Sequence, residues 1–192
     1  MRLFLAVDLD DRLRLSASQA AVRLRRMVEQ KGCRPRAVKW VEARNLHVTL
    51  QFLGEVAGDR VAELLDVLSP SLATPCFDIG LDRPGVFPPQ GSPRVIWMGI
   101  TPGAPALHAV HAELADRLAA ARLAVEGRLF QAHVTLARVR EPIRVDLRAL
   151  VADVAPDSVG VSRVEFVTLY RSHLRPEGPT YELQLRIPLR RT

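Results

Sequence analysis

Cysteine is nearly absent from this chain: Cys33 and Cys76 are the only two among 192 residues. Two cysteines make no disulfide framework, and neither has a histidine at zinc-ligand spacing, so free thiols in a reducing compartment are expected. Aromatic residues are also scarce, at 5% of the sequence. Long apolar runs are missing: stretches such as Leu3–Val7 and Val95–Ile100 fall well short of the ~18 residues that span a bilayer. The opening Met1–Asp8 meets Asp8, Asp10 and Asp11 too early for a signal peptide and reads as a first strand, so a cytoplasmic protein without membrane contact is expected. Lysine is the rarest cation. Of 27 basic residues only Lys31 and Lys39 are lysine, which leaves 25 arginines, and 21 acidic residues bring the net charge to +6. The planar arginine fork suits phosphate and nucleic acid; a GC-rich coding sequence would give the same excess, and the arginines are scattered instead of forming one basic run. The chain has no Walker A pattern, no Gly-x-Gly-x-x-Gly and no cysteine cluster, which removes support for nucleotide hydrolysis, dinucleotide binding and zinc chemistry.

What remains is an ordinary globular composition, 48% apolar and 25% charged, on a chain long enough for a substantial core. Arg2–Leu9 reads as a strand entering a helix over Asp10–Lys31, with Leu13, Ala17, Ala20, Leu24 and Met27 or Val28 on its apolar face and Gly32 as its stop. Val38–Val41 and Leu46–Leu53 read as strands around a turn at Glu42–Asn45. A second helix follows over Gly58–Leu72, then a strand over Pro75–Leu81. The turn-rich Arg83–Pro93 reads as a loop. Arg94–Ile100 is a strand, and a third helix runs from Thr101 to about Leu123. Phe130–Val139 is the next strand, a short helix covers Asp146–Val154, and strands at Val161–Tyr170 and Thr180–Leu189 close the chain. The order strand, helix, strand recurs before and after about residue 90 with no linker between, so residues 1–192 are expected to form one two-lobed α+β unit with pseudo-twofold character.

The strongest local pattern is His47-Val48-Thr49-Leu50, which returns as His133-Val134-Thr135-Leu136, 86 positions later. Residues i and i+2 of a strand share a face, about 6.5–7 Å apart, so each copy presents an imidazole and a hydroxyl together. In the first strand Leu46, Val48, Leu50 and Phe52 are expected on one side, with His47, Thr49 and Gln51 on the other. In the second, Val134 and Leu136 oppose His133 and Thr135. One His-x-Thr is ordinary strand polarity. Two in corresponding places of two similar half-chains suit metal-free phosphoryl chemistry: two imidazoles divide the acid and base roles near neutral pH while two hydroxyls hold nonbridging oxygens.

The pair of motifs, the opening Arg2–Leu9, the approach Val38–Leu46, the continuation Gln51–Val56, Phe87-Pro88, Pro93–Trp97, Ala137-Arg138, Leu169–Ser172 and Gly178–Tyr181 together resemble the RNA 2',3'-cyclic phosphodiesterases, also called 2'-5' RNA ligases, of the two-histidine phosphoesterase superfamily. The resemblance covers essentially the whole chain. It implies a bilobal fold of two pseudo-twofold related antiparallel sheets, helices outside and a central groove between. It also implies hydrolysis of a terminal RNA 2',3'-cyclic phosphate to a 2'-phosphate, without metal or other cofactor. Carried over by position, His47 is the general acid and His133 the general base, and Thr49, Thr135 and Arg138 hold the phosphate. The family usually has proline before the second histidine where this chain has Ala132, which relaxes the backbone there and removes no reacting group.

RNA ends or small cyclic nucleotides are the expected partners, and a monomer suffices. The same four residues would serve a ligase running the chemistry in reverse, and a binding module without turnover is a third reading that two intact histidines oppose. Phe87 is the first candidate to stack on a base, ahead of Tyr181 and of Phe4 and Trp40, for which core packing is the favoured reading. His108, His111 and Glu113 lack a further ligand at matching spacing and read as bystanders. His173 is assigned no role.

Overall fold

A computed structural model of the chain describes residues 1–123, 129–154, 160–175 and 178–191. In chain order the elements are β1 (Arg2–Asp8), α1 (Asp11–Gln30), β2 (Val38–Trp40), β3 (His47–Glu55), α2 (Val61–Leu68), β4 (Leu72–Pro75), β5 (Phe77–Ile79), β6 (Leu81–Phe87), β7 (Val95–Ile100), α3 (Ala104–Ala120), β8 (His133–Val139), α4 (Leu147–Ala152), β9 (Ser162–Val164), β10 (Phe166–Leu174) and β11 (Pro179–Arg190). Helix α1 begins where Asp10 caps it, its carboxylate accepting the Leu13 N–H at 2.8 Å, and ends before Gly32 at φ 79°, a left-handed backbone that glycine adopts without penalty.

The class is α+β, and the two expected sheets are the halves of a single nine-stranded sheet in the order β4-β11-β10-β1-β3-β8-β7-β6, with β2 on β8. One half carries β3, the other β8, and the seam between them is a single residue pair, Val48 opposite Val134. Neighbours within the halves run antiparallel, except that β4 lies parallel to β11. Helices then cross over. Helix α1 leaves β1 in the first half and packs against β8 in the second, while α3 leaves β7 in the second half and packs against β3 and β4 in the first. The apolar stripes Leu13, Ala17, Ala20, Leu24, Val28 on α1 and Leu107, Val110, Leu114, Leu118 on α3 are fully or almost fully buried, in one cluster with Leu5, Val7, Val48 and Val134 of the sheet. Because helices cover one face only, the other face of the seam is left open as a groove.

One expected loop is partly a strand. Leu81–Phe87 pairs antiparallel with β7 despite Pro84, which sits opposite Met98. β6 is the last strand of its edge, where a residue without an N–H costs no ladder bond. Gly85 is needed there, since a Cβ would lie 2.3 Å from Cζ2 of Trp97. The following turn is held by Arg148, which donates to the carbonyls of Pro88, Pro89 and Gly91.

Val48 and Val134 are both inaccessible to solvent and join the halves without a second ladder pair. Removing two methyl groups from either should cost about 2 kcal/mol in transfer and cavity energy. Val134→Ala is therefore expected to lower the stability measured in urea by that amount with the slope unchanged; a variant as stable as the parent would show that the seam does not hold the halves together.

Candidate active site

The seam register places the two motifs. With Val48 opposite Val134 in an antiparallel pair, His47 lies toward Thr135 and Thr49 toward His133, and since both valines point into the core these four side chains point into the groove.

Both motif strands carry the same irregularity. Between β1 and β3 the pairing steps from Leu5 opposite Gln51 to Ala6 opposite Thr49; between β7 and β8 it steps from Ile96 opposite Ala137 to Trp97 opposite Thr135. In each strand one residue after the threonine, Leu50 or Leu136, is an unpaired extra, a β-bulge that resets the alternation. This corrects the expected two-residue pattern in β3. Gln51 is buried at 4% exposure while Phe52 is 43% exposed and lines the groove. In β8 the same reset buries Ala137 and brings Arg138 to the groove.

Both imidazoles are fixed by the same device. His47 Nδ1 lies 2.8 Å from the carbonyl oxygen of Asn45, and His133 Nδ1 lies 2.7 Å from that of Gln131. A carbonyl only accepts, so Nδ1 carries the proton and Nε2 is left for chemistry. Asn45 is itself buried, and its amide donates to the Pro179 carbonyl at 3.0 Å. Ala132 is buried in the core beside His133.

The surroundings then diverge. Nε2 of His47 meets the Thr49 hydroxyl at 3.0 Å, and its ring touches Phe4 and Tyr181 with centroids 5.1 and 5.5 Å away. Asp8, cross-strand from His47, accepts from the hydroxyls of Thr168 at 2.9 Å and Tyr170 at 2.8 Å. His133 is flanked by Phe87, edge to face at 5.1 Å, and by Trp97 at 6.3 Å. Burial pushes the His47 pKa below the ordinary range; the Asn45 carbonyl and the Asp8 carboxylate oppose this, and positive charge on His133 and Arg138 adds to it. Burial likewise lowers His133, against the Gln131 carbonyl and with Arg138. Tyr170 is pushed up to about 12 by burial, by the Asp8 charge and by its hydrogen bond to Asp8, so it stays a proton donor.

A cavity of about 890 Å³ opens on this groove, lined by His47, Thr49, Thr135 and Arg138 together with Phe4, Trp40, Phe52 and Tyr181. His133 and Phe87 are not in its wall. Phe87 stacks on Trp97 at 4.9 Å, while Phe4, a weaker candidate for base contact, is 3% exposed. Sequence reasoning misses Asn45, Asp8, Tyr170 and Phe52. Asp8 and Tyr170 are joined by a hydrogen bond across a long separation, Asn45 acts through its backbone carbonyl and is anchored by the distant Pro179, and Phe52 is hidden by the bulge. His108 and His111 flank the Phe130 ring at 4.9 and 4.7 Å, and His173 pairs with Glu182 at 2.8 Å on the surface. Among the described residues no group of three or more His, Cys, Asp or Glu is arranged to hold a metal ion, and no helix is long and apolar enough to cross a membrane.

Comparison with known proteins gives this geometry a context. The RNA 2',3'-cyclic phosphodiesterase of Archaeoglobus fulgidus is 34% identical over 184 residues, 95% of this chain and 97% of its own. The protein of the same name from Thermotoga maritima is 30% identical over 185 residues, 95% of this chain and 92% of its own. Among solved structures, a Thermus thermophilus protein superposes with a TM-score of 0.76 at 28% identity, over 98% of this chain and 97% of that one. E. coli LigT complexed with 3'-AMP superposes with a TM-score of 0.71 at 26% identity, over the same shares. Residues 14–174 match the 2'-5' RNA ligase superfamily, and on these grounds together the chain is an enzyme belonging to that superfamily.

Proposed function

We propose that the protein opens a terminal RNA 2',3'-cyclic phosphate to a 2'-phosphate, with His47 as general acid and His133 as general base and with no metal in the step. The substrate class follows the names of its relatives; the division of roles rests on one observation, that the cavity lies on the His47 side and leaves His133 out of its wall. Displacement at phosphorus proceeds with attacking and leaving oxygens roughly in line. The leaving 3' oxygen belongs to the nucleoside, which needs the larger space, so the nucleoside side is the acid side. Water arrives from the opposite side, where His133 stands.

The balance of the step is then complete. Nε2 of His133 takes a proton from water as the water oxygen bonds to phosphorus. The bond from phosphorus to the 3' oxygen breaks, and that oxygen takes the proton on Nε2 of His47. The 2' oxygen keeps its bond to phosphorus, giving a 2'-phosphomonoester and a free 3'-hydroxyl. Thr49, Thr135 and Arg138 donate to the nonbridging oxygens. Thr49 has a second duty, since its hydroxyl is already on Nε2 of His47 and holds the ring until the 3' oxygen takes that place. The base-stacking candidate moves from Phe87 to Phe52, which is exposed and in the cavity wall.

Purified protein in excess chelator is expected to convert an RNA ending in a 2',3'-cyclic phosphate to a 2'-phosphate end. A 3'-phosphate product would reverse the leaving group and overturn the assignment; an unchanged end would favour a ligase or a non-catalytic binder. His47→Ala and His133→Ala are each expected to lower kcat about 10²- to 10⁴-fold. Thr49→Ala and Thr135→Ala should lower it about 10- to 100-fold, the worth of one hydrogen bond to a charged oxygen.

Arg138 supplies a separate test through pH. Its positive charge disfavours a second positive charge on either imidazole, and both pKa values are lowered in part by it. Arg138→Gln should raise both, so both limbs of the kcat/KM profile move to higher pH, with a lower maximum from lost phosphate binding. A profile that stays in place would show that Arg138 does not act on the histidines.

A further inference from the structure

We infer that the part of the cavity remote from His133 is a track for single-stranded RNA, in which Arg2, Lys39 and Arg140 hold backbone phosphates of the nucleotides that precede the reacting end. This rests on the hydrolase reading above and extends it, because it makes polynucleotide ends, and not free cyclic mononucleotides, the preferred substrates.

The first observation is an electrostatic conflict. On β2 and β8, Lys39 sits directly opposite Arg138, and two like charges facing across a ladder are destabilising. Arg140 follows on the same strand end, its N–H donating to the Ala37 carbonyl, and Arg2 enters the same cavity from β1. Among the described residues none of these four cations has a carboxylate within ion-pairing distance. Two carboxylates share the wall: Glu42 pairs with Arg44 at 2.8 Å, and Glu55, cross-strand from Arg2, pairs with the N-terminal amine at 3.4 Å. Four cations against two carboxylates leave this wall with an excess of positive charge, which an arriving anion balances.

Arginines elsewhere in the chain behave differently. Arg14 bonds Asp11 and the Leu9 carbonyl, Arg117 bonds Glu113 and the carbonyls of Pro70 and Ser71, and Arg148 clamps the turn after β6. Their guanidinium groups are spent on structure. The cavity cations are not.

Reach and shape agree with a chain ligand. At about 3.3 Å per residue, Arg140 lies roughly 16 Å along the strand from Thr135, too far to share its phosphate. The volume of about 890 Å³ stands near the top of the ~300–1,000 Å³ range of small-ligand clefts and exceeds the needs of one nucleotide. Trp40 and the exposed Phe52 lie in the same wall, interleaving aromatic faces with cations as single-strand sites do. Polarity is fixed by the chemistry: the nucleoside lies on the His47 side, so the chain that continues from its 5' position runs away from His133 into this space.

The test measures binding and turnover separately. Anisotropy of a labelled single-stranded RNA ending in a 2'-phosphate is followed in rising KCl for the parent and for K39Q/R140Q, and hydrolysis of a 2',3'-cyclic mononucleotide is measured for both. Each phosphate neutralised on a single strand contributes about 0.7 to the slope of log affinity against log salt, so the double variant should lose about 1.4 from the slope. It should also bind the RNA about ten- to a hundredfold more weakly at low salt, with mononucleotide kcat/KM within about twofold of the parent. An unchanged RNA affinity and slope in K39Q/R140Q would overturn the track and leave the hydrolase reading standing. Equal losses for RNA and mononucleotide would overturn it also, by placing both residues in the reacting-phosphate site. If the parent failed to turn over the mononucleotide and the cyclic RNA end, the hydrolase reading would fall, and the binding arm would still decide the track.

Discussion

Two strands that meet at one residue pair hold the site together. A longer ladder between β3 and β8 would have closed the sheet flat and filled the groove with hydrogen-bonded backbone; no pairing would have left the motifs on separate bodies. One pair, Val48 against Val134, joins the halves and lets them diverge on either side. The crossed helices make this workable. Because α1 springs from the first half and packs on the second, and α3 does the reverse, each half is held by the core of the other, and the seam itself needs little backbone bonding.

On that frame the backbone is nearly twofold while the side chains are not. The bulge after each threonine and the carbonyl behind each Nδ1 are repeated. Asp8 faces His47 where Gly99 faces His133. The carboxylate side opposes the lowering of the His47 pKa by burial, as suits a group that must hold a proton before the step. No such carboxylate acts on His133, whose ring lies between Phe87 and Trp97. In the proposed reaction this difference, and not the shared backbone, separates acid from base.

Much of this was legible in the chain itself. The motif strands, the helix starts at Asp10 and Asp146, the stop at Gly32 and the class α+β follow from periodicity and capping chemistry, which are local. The losses have a common physical cause. A bulge is one unpaired residue decided by the neighbouring strand, so the burial of Gln51 and the exposure of Phe52 could not be read from β3 by itself. β6 was hidden because Pro84 and Gly85 signal a turn wherever they occur, and only the edge position and the ring of Trp97 lying on Gly85 make them compatible with a strand. Asp8 and Tyr170 meet across 162 positions, and Asn45 holds His47 through its backbone carbonyl, which its side-chain type does not signal.

The groove combines features that each oppose stability in the free protein. Two imidazoles are buried to the point that their pKa values fall, and Arg138 stands opposite Lys39. A phosphate bound among them opposes these effects, since negative charge favours the protonated form of both histidines and screens the cations from each other. In the proposed reaction the protonated form of His47, which burial, His133 and Arg138 disfavour, gains stability from the negative charge of the bound phosphate. In that proposed step the ligand thus helps the general acid toward its charged form, and part of the binding energy of the phosphate goes into the protonation state that the step requires.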